Sequence, residues 1–420
     1  DLGEFLMKRW TFDENTIILP NGLKVITIKK DTRLASINIG VNIGSLYEDE
    51  KELGMSHFVE HMLFKGTKNR SNEQLNRELE FLGGDYNAYT DYISTVYSIT
   101  CLDEEFEKGI ELLSDMVLNS SFDEKEMKKE KGVVLSEIKS DKDDIEDLSI
   151  SRTHEYAFDK SALRNSIAGT EEHVKRFKRK QVYDFYKKYY TPDNCVIVTV
   201  SAFSHEQMQK IITDLFGKWE GKSHKKAKII KEENKNIVKT TYKSQIEQGT
   251  VTYLYAFKEV CEKDKLPLKI LSYKLAESSN SILFRELREE RGLAYDVYSQ
   301  MDLDENVNTM NIFTSVREES IDEVIEVIDK AILDIKNKDI NFDEDMLCMM
   351  KKTHKTGVVS TLEDCSSLCS YVLVQSLAGK DITEFINSME ELETLTGEDI
   401  YRVCNKYLNK PTIHILKPME

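Results

Sequence analysis

Apolar residues recur with two different periods along this 420-residue chain. Short stretches at 35–41, 95–100 and 196–200 are rich in Val, Ile, Thr and Tyr and read as strands. Ile17-Ile18-Leu19 and the apolar run 23–28 flank Asn21-Gly22, a pair suited to the positive φ of a tight hairpin turn; Pro20 sits at the edge of that turn. Elsewhere the spacing lengthens to three and four. Residues 106–118 and 321–335 place apolar side chains on one stripe and predict amphipathic helices. Only 5 prolines and 18 glycines punctuate the chain, so long regular elements should dominate.

The pattern also repeats. RELEFLGG at 77–84 has a counterpart in RELREERG at 285–292, and each precedes an aromatic strand. LDEEFEKGI at 102–110 corresponds to VREESIDEVI at 316–325, a strand end that runs into a helix. Phe122-Asp-Glu and Phe342-Asp-Glu each open a long helix, with the Asp placed at the positive end of the helix dipole. Three matches in the same order imply a duplicated unit of about 200 residues. Two copies are too few for a solenoid, so the expectation is two related α+β domains, each a mostly antiparallel sheet covered by helices. The Lys-rich stretch 221–240 lacks an apolar period and reads as a linker. The expected division is 7–220, then this linker, then 241–420.

Charge narrows the function classes. Lys+Arg is 58 against 75 Asp+Glu, a net −17. That sign argues against nucleic-acid and anionic-membrane partners, which need clustered basic residues. No apolar run approaches the length of a membrane helix. Seven scattered cysteines, an odd number, do not form a disulfide framework, and a reducing cytoplasm is expected. Cys365 and Cys369 could share a helix face, but no second Cys or His pair stands near them to complete a metal site. Residues 1–6 lack the features of a secretory signal and read as an appended remnant before a native Met7. GKWEGKS at 217–223 is one residue short of a phosphate loop and follows a helical stretch, so nucleotide binding is not expected.

The chemistry concentrates in GMSHFVEHMLFKGT, residues 54–67. His57 and His61 are i and i+4 on a helix, so both imidazoles project from one face. Two imidazoles at that spacing can grip one Zn²⁺ at about 2.0–2.1 Å. Glu60 shares that side and can serve as general base toward a water held there. Phe58 and Met62 point elsewhere and anchor the helix. The order is HxxEH, the reverse of the common zinc-peptidase helix. A peptidase site needs a third protein ligand. The other six histidines are dispersed, so the candidates are acidic. Glu130 and Glu137 lie about two turns apart on one face of the helix after Phe122-Asp-Glu, among residues that look buried. Taken alone, each reads as an ordinary solvated helix acid.

HFVEHMLFKGT resembles the signature of the pitrilysin/insulinase family of inverted zinc peptidases. The resemblance implies that the third ligand is Glu137, which stands 76 residues after His61, and that Glu130 supports the site. It further implies that 83–90 (GGDYNAYT) is an edge strand beside the metal, where Asn87 and Ala88 pair with the backbone of a peptide substrate. The second half has no HxxEH. Its Arg288 and Tyr295, seven residues apart, resemble a pair with which a noncatalytic domain of the family reaches substrate. The two-domain length is similar to one half of the family's four-domain clamshell and to mitochondrial processing peptidase subunits with their bacterial relatives. The implied protein is a zinc endopeptidase that cleaves short or unfolded peptides in an enclosed chamber. Because one chain carries both the metal motif and the Arg/Tyr pair, a homodimer is expected. A noncatalytic subunit, or one half of a heterodimer, is the alternative.

Overall fold

The computed structural model describes residues 10–419; the expected start at Met7 and the first residues of the expected first domain lie outside them. The hairpin at Asn21-Gly22 forms, with β1 (Asp13–Ile18) antiparallel to β2 (Lys24–Lys29) and Ile18 opposite Lys24. Gly22 has a φ of 95°, a conformation that costs a side-chain-bearing residue energy. The other strands of this half are β3 (Leu34–Val41), β4 (Asp85–Thr90), β5 (Thr95–Leu102) and β6 (Cys195–Ser201). In the second half they are β7 (Val238–Lys243), β8 (Gly249–Ala256), β9 (Ala294–Leu303), β10 (Asn308–Val316) and β11 (Thr412–Pro418).

Two sheets result. The first runs β1-β2-β6-β3-β5-β4 and the second β7-β11-β8-β10-β9. With β1 set aside, the orders are identical: each sheet pairs its first strand in parallel with its last (β2 with β6, β7 with β11), and every other pairing is antiparallel. The duplication read from three sequence matches is therefore a duplication of topology. The helices agree. Those used below are α1 (Met55–Leu63), α2 (Asn72–Phe81), α3 (Phe106–Asn119), α4 (Glu124–Asp143), α5 (Ile145–Ala157), α6 (Ile321–Lys336), α7 (Glu344–Glu363) and α8 (Cys365–Leu377). Asp123 and Asp343 accept backbone N–H bonds at the starts of α4 and α7, as their positions predict.

The first sheet buries both faces. On one side Val25, Ile37, Ile39, Tyr97 and Ile99 share a core with Phe58 and Met62 of α1 and Ile110, Leu113 and Met116 of α3. On the other, Ile26, Ile28, Val96, Val198 and Val200 meet Cys365, Leu368, Cys369, Val372 and Leu373 of α8. Neighbours such as Ile197 and Val198 go to opposite faces, the period-two alternation of a strand. In the second sheet the covering helix is α5, where Ser149 Oγ lies 2.6 Å from Thr250 Oγ1 and Arg152 donates to Thr241 at 2.7 Å.

Each sheet thus receives one helix from the opposite half of the chain. The compact units are accordingly discontinuous. The first comprises residues up to Ile138, Ser166–Lys228 and Thr356–Asn387; the second comprises Lys139–Asn165, Ile229–Lys355 and residues from Ser388 onward. Relative to a single cut at 221–240, residues 139–165 and 356–387 have changed sides. Strand β7 also begins at Val238, inside the stretch read as linker.

Candidate metal centre

Helix α1 begins after Gly54, whose φ is 89° and whose absent Cβ would sit 2.5 Å from the Ala168 carbonyl oxygen. No side chain of the first turn caps the exposed N–H groups. The buried Glu48 carboxylate does so from outside the helix, accepting from Gly54 N at 2.8 Å and Ser56 N at 2.7 Å. Burial pushes this carboxyl up to about 7, against the pull of the two N–H donors. Met55, Phe58, Val59 and Met62 lock the helix into the core. The remaining face carries His57, Glu60 and His61.

Helix α4 meets that face. Met127, Val134 and Ile138 bury one stripe of it, and Glu130 on the same stripe is 3% exposed. Glu137, beside Ile138 at the end of the stripe, keeps a half-exposed carboxylate. His57 Nε2 and His61 Nε2 are 3.2 Å apart; each lies 3.4 Å from a Glu137 oxygen. Three donors on a tetrahedron with arms of about 2.0–2.1 Å should be separated by about 3.3 Å. The imidazoles meet different oxygens of the one carboxylate, Oε1 for His57 and Oε2 for His61, and all three spacings match the edge of a zinc-sized site. Among the described residues, this is the one group of three or more His, Cys, Asp or Glu whose ligand atoms all fall within 4.8 Å of one another.

The electrostatics fit a cation. Burial opposes charge on His61, but bonds to Glu130 and Glu137 outweigh it and push the imidazole up to about 9. His57 and His61 hold the Glu137 carboxyl well below its usual range. Without metal, the site draws a proton to offset its carboxylates, and a dication would meet the same demand and release that proton. Glu130 fixes the acceptor geometry: its Oε1 lies 2.8 Å from His61 Nδ1, which leaves Nε2 to face the site, while Lys65 holds its Oε2 at 3.0 Å. Glu130→Gln should therefore weaken zinc affinity about 10–100-fold while the fold persists, as read by chelator competition. Unchanged affinity would remove Glu130 from the site.

The wall beside this group is β4, the last strand of its sheet. Asn87 lies opposite Ser98 and Ala88 opposite Tyr97, so their strand is paired on one side only. Among the described residues no strand pairs with its outer edge, which is open to an added one. At the end of β4 the Thr90 hydroxyl donates to Glu60 Oε2 at 2.6 Å. This contact, the Lys65–Glu130 pair and the Glu48 cap went unread in the sequence. Lys65 had a signal, since it follows His61 by four residues; Glu48 and Thr90 had none.

Arg288 and Tyr295 belong to the second unit. The Arg288 guanidinium stacks over Phe284 at 5.1 Å, and Tyr295, the second residue of β9, is 50% exposed. Cys365 and Cys369 do share a helix face. It turns to the sheet, where their thiols donate to the Leu34 and Val198 carbonyls. Burial pushes both thiols up, which suits packed S–H groups and not metal-ligating thiolates.

The sequence model described as Insulinase (Peptidase family M16) matches residues 24–171, and that described as Peptidase M16 inactive domain matches 176–346. The chain is similar to a Bacillus subtilis (strain 168) protein named uncharacterized zinc protease YmxG, at 30% identity over 383 residues, 90% of this chain and 92% of the relative. It is 34% identical over 201 residues to the mitochondrial-processing peptidase subunit beta of Bos taurus, 47% of this chain and 41% of the relative. The crystal structure of a protease from Helicobacter pylori superposes with a TM-score of 0.89 over 97% of this chain and all of the other, at 20% identity.

Proposed function

Because the chain belongs to the insulinase family of peptidases, M16, we propose that it is a zinc-dependent endopeptidase acting on short or unfolded peptides. The observation that carries this reading is the convergence of His57 Nε2, His61 Nε2 and the Glu137 carboxylate at spacings of 3.2–3.4 Å, with Glu60 on the helix that carries both imidazoles.

His57, His61 and Glu137 hold Zn²⁺. When bound, zinc supplies Lewis-acid stabilisation of charge on the substrate carbonyl and lowers the pKa of water at the site. The Glu60 carboxylate takes a proton from the attacking water and returns it to the leaving amine. Glu130 keeps His61 in the tautomer that presents Nε2. Asn87 and Ala88 pair with an extended substrate backbone at the open edge of β4, which selects chains able to become a strand. A second copy pairs with the first and supplies Arg288 and Tyr295 to substrate carbonyl groups, within an enclosed chamber. The seven free cysteines support a cytoplasmic setting. Among the described residues no helix is long and apolar enough to cross a membrane.

A second reading is a noncatalytic or heterodimer-partner subunit. It is favoured by the match of 176–346 to a domain described as inactive and by the likeness to a protein named as a subunit. The intact donor set in the first half weighs against it. Cleavage of a quenched peptide library separates the two. The enzyme reading expects zinc at about one per chain, activity lost to a chelator and regained with zinc. Zinc-loaded protein that cleaves no peptide would support the alternative.

A further inference from the structure

Glu60 has three rotatable side-chain bonds and a carboxylate with two oxygens, and nothing in an HxxEH sequence says how it is aimed. Here one oxygen, Oε2, accepts the Thr90 hydroxyl at 2.6 Å, the short range of a charge-assisted bond. Glu60 is 8% exposed, so solvent competes little for that oxygen. Thr90 is itself well held. It ends β4 opposite Thr95, and Asp91 N donates to Ser94 O to close the turn. The Asp91 carboxylate accepts from Ile93 N and Ser94 N. From the other side, Ser45 N and Leu46 N donate to the Asp91 and Tyr92 carbonyls, and Gly44 sits so close that a Cβ would lie 2.5 Å from Asp91 O. A β-branched residue on a fixed backbone has few χ1 choices, so the hydroxyl is a stiff donor.

We propose that Thr90 is a positioning residue for Glu60: its hydroxyl occupies one carboxylate oxygen and turns the other toward the attacking water. The inference rests on the peptidase reading above. It adds that the strand offered to substrate at Asn87 and Ala88 is the same strand that aims the base three residues later. Docking and proton transfer thereby share one rigid element.

Two variants and two measurements test this. Thr90→Val removes the hydroxyl at nearly constant shape, and Thr90→Ser keeps it. With zinc content equal to the parent, Thr90→Val should lower kcat roughly tenfold to a hundredfold, the range for losing a hydrogen bond to a charged group. KM should stay within about twofold, because Asn87 and Ala88 are untouched. Thr90→Ser should recover kcat to within about threefold. Melting of the metal-free proteins needs no activity. There Thr90→Val should lower Tm by about 3 °C when Glu60 is present and have no effect in a Glu60→Ala background. A Thr90→Val enzyme with parental kcat, or equal Tm losses in both backgrounds, overturns the proposal. If the unaltered zinc-loaded protein cleaves nothing, the peptidase reading falls, and the melting comparison alone decides whether Thr90 holds Glu60.

Discussion

Glu60→Gln is expected to lower peptide cleavage by about 10²–10⁴-fold in kcat while leaving the zinc content at the parental level. The amide has the shape of the carboxylate, and its oxygen still accepts from Thr90, so the helix face keeps its form. Glu60 is not among the three side chains that converge at 3.2–3.4 Å, so metal binding should not depend on it. What the variant loses is a group able to take a proton from water. Metal analysis beside initial rates on a quenched peptide checks both halves. A variant that cleaves at the parental rate would strip Glu60 of its role; one that lost zinc would show that the donor set is drawn wrongly.

Glu137→Gln should act on the other half of the site. Two imidazoles alone make a poor zinc site, and the third donor is also the one negative charge in direct contact with both Nε2 atoms. Zinc affinity should fall by at least about a hundredfold, beyond the 10–100-fold expected of a supporting residue such as Glu130. Activity at limiting zinc should fall with it and return in part when zinc is raised. Chelator competition measures this directly. Equal effects at Glu130 and Glu137 would mean that the two carboxylates share one role.

Much of this was legible in the sequence because it is local. His57, Glu60 and His61 occupy one helix, and a spacing of three and four places them on one face wherever the helix lies. The paired sheets were legible for a related reason: a repeated order of strand and helix signals dictates a repeated topology, and β2-β6-β3-β5-β4 and β7-β11-β8-β10-β9 bear this out. What escaped is what depends on long-range docking. The apolar stripe of α8, Cys365 through Leu373, fits any complementary sheet, and periodicity cannot say that it covers the sheet of the first half. Helix α5 goes to the second sheet for reasons written partly in polar contacts such as Ser149 with Thr250. Strand β7 was hard to tell from the linker because Val238-Lys-Thr-Thr-Tyr-Lys243 is a short edge strand whose large apolar residues, Val238 and Tyr242, stay exposed. Glu130 and Glu137 show the boundary between the two cases. Their helix and shared face follow from spacing, but which of them approaches the imidazoles directly follows from where α4 crosses α1.

The most direct test is anomalous scattering at the zinc edge from crystals of the zinc-loaded protein. One peak should stand about 2.0–2.1 Å from both His57 Nε2 and His61 Nε2 and about 2.0–2.2 Å from a Glu137 oxygen. A peak elsewhere, or none at full zinc occupancy in solution, would contradict the account.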